Sequence, residues 1–264
     1  MQTTTPLPVH YLPIATTIIA AAFVAMLVAR ASKRRWAPHL VWWAIGIFFY
    51  GLGTAVESTI TLHGNTETLN RIWYWVGAIL GGYPLGTGSL YLLARRRVAH
   101  TLTAISLVVV IVASVAVMLT PIDSAALEPY RPSGHVLEWQ WVRLMTPFIN
   151  LYAVAFLVGG AVWSSVRFAT RDENPGRALG TALIAVGGIL PGIGGAMTKA
   201  GMVEALYVGE LTGLMLIIAG YQVCVRSPAP AVAPPAEVGE PEDAGDQTGS
   251  VSAAGPAQVG EVPE

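Results

Sequence analysis

Apolar residues gather in seven long stretches, at about 9–29, 38–57, 73–94, 101–120, 144–166, 178–198 and 204–225. Each approaches the roughly 20 residues that a helix needs to cross the hydrocarbon core of a bilayer. The fourth, LTAISLVVVIVASVAVMLT, is apolar on every side, so its pattern marks no inward face. Gly and Pro interrupt the third (GGYPLGTG) and the sixth (GGILPGIGG). Lipid offers a peptide group no hydrogen bond, so both are still expected to be helical. The pattern predicts an all-α, polytopic membrane protein of seven transmembrane helices, here numbered 1 to 7.

Composition agrees. Only 12% of the 264 residues are charged, 53% are hydrophobic and the mean hydropathy is +0.56, whereas soluble domains carry about 25% charged residues. The net charge of −1 hides an uneven placement. Eleven Lys and Arg fall on the side reached after helix 1, and four, Arg71, Arg131, Arg143 and Lys199, on the other. Lys and Arg concentrate in cytoplasmic loops, so the expected orientation is N-out and C-in, in a bacterial plasma (inner) membrane. The N-terminus, MQTTTPLPVHYLP, has neither a basic region nor a small-residue cleavage site, which predicts an uncleaved anchor. Residues 1–8 form an outer segment and 9–226 the transmembrane domain. Residues 227–264 hold seven acids, no Lys or Arg and no aromatics. Such a segment buries too little apolar surface to offset its ordering entropy, so it is expected to be a disordered, acidic cytoplasmic tail. A single cysteine, Cys224, excludes an intramolecular disulfide and a Cys-based metal site.

Two stretches nearly repeat: AIGIFFYGLG at 44–53 and AVGGILPGIG at 185–194. At an offset of 141, Ala44, Gly46, Gly51, Gly53 and Ala55 fall on Ala185, Gly187, Gly192, Gly194 and Ala196. At an offset of 132, Trp75, Gly77, Gly81 and Gly88 fall on Tyr207, Gly209, Gly213 and Gly220. Spaced small residues let membrane helices approach closely, but close packing does not require the same order twice. The expectation is a 3+1+3 parallel repeat, with halves at about 9–94 and 144–225 and helix 4 (101–120) as connector. Parallel repeats about an axis along the membrane normal are one transporter plan.

Over residues 9–225 this organisation resembles the broad superfamily of seven-helix proteins that includes PQ-loop sugar transporters of the SWEET type, microbial opsins and receptor-like sensors. It also resembles a group of bacterial seven-helix membrane proteins that brings no activity with it. The likeness is one of topology and repeat only. Pro13 is followed by Ile14 and Pro147 by Phe148, so the Pro-Gln pair is missing. Helix 7 (LYVGELTGLMLIIAGYQVCV) lacks the lysine that opsins use for retinal.

Charges at membrane depth are costly and point to function. Glu210 is the deepest, two turns inside helix 7, while Glu57 and Lys199 end helices 2 and 6. The expectation is an outward-facing ligand or ion-coupling pocket of Glu210, Lys199, Glu57, Asn150, Tyr83 and Tyr207. The competing reading is a structural Glu210–Lys199 ion pair, with Glu57 and Lys199 snorkelling to the interface. Pro84 and Pro191 remove backbone hydrogen bonds in helices 3 and 6 and are hinge candidates. The loop PIDSAALEPYRPSGHVLEWQWVR is expected to fold as a lid over the outer mouth. No catalytic motif, metal site or cofactor signal is present, and three outer histidines, His10, His63 and His135, match no metal spacing. The expected partners are membrane lipid, a small-molecule ligand and a protein at the cytoplasmic face, with no nucleic acid. The sequence thus favours a transporter of a small solute or lipophile over an enzyme. The alternative is a receptor-like sensor or accessory subunit without its own effector domain.

Overall fold

A computed structural model describes residues 7–171, 174–198, 202 and 204–227. Seven helices are long and apolar enough to cross a membrane: α1 (Pro8–Lys33), α2 (Pro38–His63), α3 (Glu67–Leu93), α4 (Arg96–Leu119), α5 (Gln140–Thr170), α6 (Pro175–Thr198) and α7 (Glu204–Arg226). By length and composition this is a multi-pass membrane protein. Its exterior agrees: Val108 on α4 is 62% exposed and Phe148 on α5 is 73% exposed. A water-soluble bundle would turn such side chains inward. The acidic tail from residue 228 onward lies outside the described residues.

Helices α2, α3 and α5 are among those that extend beyond their apolar stretches. Helix α2 continues to His63 because its polar residues bond back to their own helix. Ser58 donates to the Thr54 carbonyl at 2.8 Å and Thr59 to the Ala55 carbonyl at 2.9 Å. Helix α3 begins at Glu67, where the Thr66 hydroxyl accepts from the Leu69 N–H and satisfies a first-turn donor. Helix α5 runs from Gln140, four residues ahead of its apolar stretch.

Helices α6 and α7 pack together most closely, and α1 lies against α2 and α7. Helix α3 packs on α2 and α5, and α5 on α6, which closes a ring; α4 stands outside it, against α3 and α5. The α6–α7 seam depends on glycine. A Cβ on Gly187 would lie 2.6 Å from the Gly213 carbonyl oxygen, and one on Gly213 would lie 2.6 Å from that of Gly187. Both separations are shorter than any side chain tolerates.

Two π-helical stretches, Tyr74–Leu80 in α3 and Val154–Gly159 in α5, widen the helices locally. The first follows from Pro84, whose ring and missing N–H exclude the usual bond to Leu80. Pro84 thus lies just after a local change of helical winding. Pro191 does not: α6 runs unbroken from Pro175 to Thr198, and the Pro191 ring packs beside Gly213. At this position the expected broken helix is a continuous one.

The loop between α4 and α5 caps one end. Arg71 Nη1 donates to the carbonyls of Val117, Met118 and Thr120, closing the C-terminus of α4. Asn70, fully buried, donates to the Ser133 carbonyl at 2.8 Å and accepts from the Ser133 N–H at 3.0 Å. Val136 and Leu137 are buried beneath. The loop therefore covers this end. At the opposite end, Arg35 (φ 51°) and Trp36 (φ 53°) take left-handed backbone to make the tight turn from α1 to α2. Two such residues in succession store strain.

Candidate functional site

Glu57 does not end its helix and does not snorkel. It lies a turn and a half inside α2, roughly 9 Å from the helix end, and is 1% exposed. Glu210 lies equally deep in α7, measured from Glu204. The ring of helices sets these two residues face to face, and their carboxyls stand within hydrogen-bond range of each other.

The surroundings hold each carboxyl unequally. Trp73 Nε1, on α3, donates to Glu57 Oε1 at 2.7 Å. The Tyr50 hydroxyl, on α2, donates to the backbone carbonyl of Glu210 at 2.7 Å and ties α2 to α7 at this level. Glu57 Oε2 and Glu210 Oε2 are both buried and meet no donor among the described residues. Among the described residues, no Arg, Lys or His lies within 4.0 Å of either carboxyl. Two carboxylates side by side at low dielectric repel, whereas a proton shared between them turns the repulsion into a hydrogen bond. The geometry is that of a proton-holding pair.

A file of polar groups leads from the pair to the capped end. Tyr207, about one turn before Glu210 on α7, is 1% exposed, with a hydroxyl that has no partner among the described residues. The His10 ring packs edge-on against it, with centroids 5.6 Å apart. His10 Nδ1 accepts from the Leu7 N–H at 2.7 Å, and its Nε2 stands 3.9 Å from Glu204 Oε1. Glu204 in turn pairs with Arg131 of the capping loop. Below, Thr54 and Thr17 bond hydroxyl to hydroxyl at 2.9 Å.

Of the residues singled out from sequence, the structure thus brings Glu57, Glu210 and Tyr207 together. Tyr83 is elsewhere: it packs on Trp42 and Tyr152 and bonds to Ser106 and the Thr103 carbonyl on α4. Asn150 sits at the α3–α5 contact beside Gly82. Lys199 lies outside the described residues. Tyr50, Trp73 and His10 were not singled out for the pocket. A signal for Tyr50 existed: Tyr50, Thr54, Glu57 and Thr61 recur every three or four residues and mark one polar face of α2. Glu204, Tyr207 and Glu210 do the same on α7.

Among the described residues no three His, Cys, Asp or Glu side chains cluster as metal ligands would. His135 approaches Arg143 and is not with His10. Compared with protein-family models, with curated proteins and with solved structures, the chain matches none.

Proposed function

We propose that this protein is a transporter of a small solute or lipophile, with the Glu57–Glu210 pair as its coupling group. The observation that carries this reading is the pair itself: two buried carboxyls, one from α2 and one from α7, with no donor for either Oε2. Loss of the shared proton leaves charge at membrane depth, which is costly. The protonated and deprotonated forms therefore favour different helix arrangements, and any ligand that binds one arrangement better is linked to the proton. Tyr207, His10 and Glu204 supply a route to the capped end. The π stretch beside Pro84 supplies a place where α3 can change its winding. In this reading the capped end faces outside and the arginine-rich end the cytoplasm, in keeping with the Lys/Arg bias. The two halves would be parallel repeats in a bacterial plasma membrane.

The test is side-specific thiol labelling after Cys224→Ala. A single cysteine replaces Glu210 in one variant and Thr54 in another, which keeps both carboxyls. A membrane-impermeant maleimide is applied to each face in turn. Transport requires both variants to label from either face. Labelling from one face alone would overturn transport and favour a receptor-like sensor with a fixed opening. Protection from both faces would overturn the site as well.

A further inference from the structure

A second site lies at the arginine-rich end. Six helices, all but α4, surround a cavity of about 550 Å³, within the range of small-molecule sites. Its basic lining is Arg30, Arg34, His39 and Arg177, and among the described residues no Asp or Glu lines it. Leu92, Leu93, Leu157 and Ile184 supply apolar walls. Three residues that line it carry a buried donor with no acceptor among the described residues: Trp43 Nε1, Arg177 Nε and the Tyr221 hydroxyl. Trp43 and Tyr221 are each only 7% exposed. Buried donors without partners are uncommon in a folded protein and cost stability. Three on residues around one cavity, with Arg30 and Arg34 beside them, suit an anion.

The arginines are also held in place. Arg30 lies over the Tyr221 ring at 5.8 Å and Arg177 over the Phe168 ring at 5.8 Å. Arg34 begins the strained left-handed turn from α1 to α2. Trp43 is seated on α3 opposite Gly88, where any Cβ would overlap its ring. A free inorganic ion would leave the leucine-lined volume unfilled.

From this we infer that the cavity binds an amphiphilic anion, a phosphate or carboxylate headgroup carrying an apolar body. The headgroup sits among Arg30, Arg177, Trp43 Nε1 and the Tyr221 hydroxyl, and the apolar body lies along Leu92, Leu93 and Leu157. Charge-assisted, bidentate bonds from arginine suit either headgroup. The same chemistry comes from an anionic membrane lipid or from a free organic amphiphile. Basic pockets between membrane helices are known lipid-headgroup sites. This site is separate from the carboxyl pair and does not depend on its role.

The test uses the full chain in a neutral detergent, with phosphatidylglycerol, phosphatidylcholine of the same acyl chains, and dodecyl phosphate as probes. Binding is counted by native mass spectrometry and titrated by tryptophan fluorescence. One phosphatidylglycerol or one dodecyl phosphate per chain is expected, with phosphatidylcholine bound at least tenfold more weakly. Retention of phosphatidylglycerol alone assigns the site to a membrane lipid, and of dodecyl phosphate alone to a free amphiphile. Arg177→Gln and Arg30→Gln are each expected to weaken binding by roughly tenfold to a hundredfold. Tyr221→Phe, which removes only a hydroxyl, is expected to weaken it less. Glu210→Gln is expected to bind as the native chain does. Equal binding of phosphatidylcholine, no binding of either anion, or full affinity in both arginine variants would overturn the inference.

Discussion

The carboxyl pair and the arginine cavity differ in the polar groups that each leaves unpartnered among the described residues. Near the capped end, two buried carboxyl oxygens, Glu57 Oε2 and Glu210 Oε2, have no donor. At the arginine-rich end, three buried donors, on Trp43, Arg177 and Tyr221, have no acceptor. Elsewhere the polar groups within the helices are mostly satisfied locally, as when Thr87 bonds back to the Tyr83 carbonyl. Acceptors that face one another are completed by a proton, which is small and needs no cavity. Donors around an open volume are completed by an anion with a body to fill it. The same helices, α2 and α7, contribute residues to both sites.

Damage to the shared frame should remove both ends together and have the largest effect. Gly213→Leu drives a side chain into the Gly187 carbonyl and Pro191. Overpacking of this kind costs about 3 kcal/mol or more. The expected readout is a large fall in the thermal midpoint in detergent, with loss of anion binding as well. A midpoint within a few degrees of the native chain would show that the α6–α7 seam is not what holds the ends in register.

Glu210→Gln should separate the ends. The amide donates to Glu57 without carrying a proton across, so proton-linked flux in vesicles is expected to fall at least tenfold. The thermal midpoint should change little, because the amide donates to Glu57 in place of the shared proton. A variant that keeps native proton-linked flux would contradict the coupling role.

Smaller changes should act on the acid end alone. Trp73→Phe leaves Glu57 Oε1 without its donor, an expected loss of about 1–3 kcal/mol in chemical denaturation. Tyr50→Phe removes one bond from α2 to the α7 backbone, with an expected loss of about 1 kcal/mol. If the Tyr50 change proved the more damaging, the tie between α2 and α7 would matter more than the solvation of the pair.

The helices were legible because apolar length is a strong signal, and their ends were not. Read as apolar text, α2 stops at Glu57. In the structure Ser58, Thr59 and Thr61 satisfy their hydroxyls on backbone carbonyls, so the helix continues and carries Glu57 inward. That displacement explains the misread site. A carboxylate at a helix end can snorkel, whereas one a turn and a half deeper must be met by another group. The partner lies 153 positions away on α7, a pairing that no local pattern encodes. Tyr83 and Asn150 shared the chemistry of the site, but Tyr83 faces α4 and Asn150, on α5, faces α3. The arginine cavity was hidden because its lining comes from six helices. Its clearest signal, Lys and Arg gathered on one side of the chain, served only to suggest an orientation.

The shared proton is open to direct observation by infrared spectroscopy of the chain in membranes at neutral pH. A protonated carboxyl stretch is expected, shifting on exchange into D₂O and lost from Glu210→Gln and Glu57→Gln alike. A spectrum with no carboxyl band, or one that persists unchanged in both variants, would mean that the two acids do not hold a proton between them.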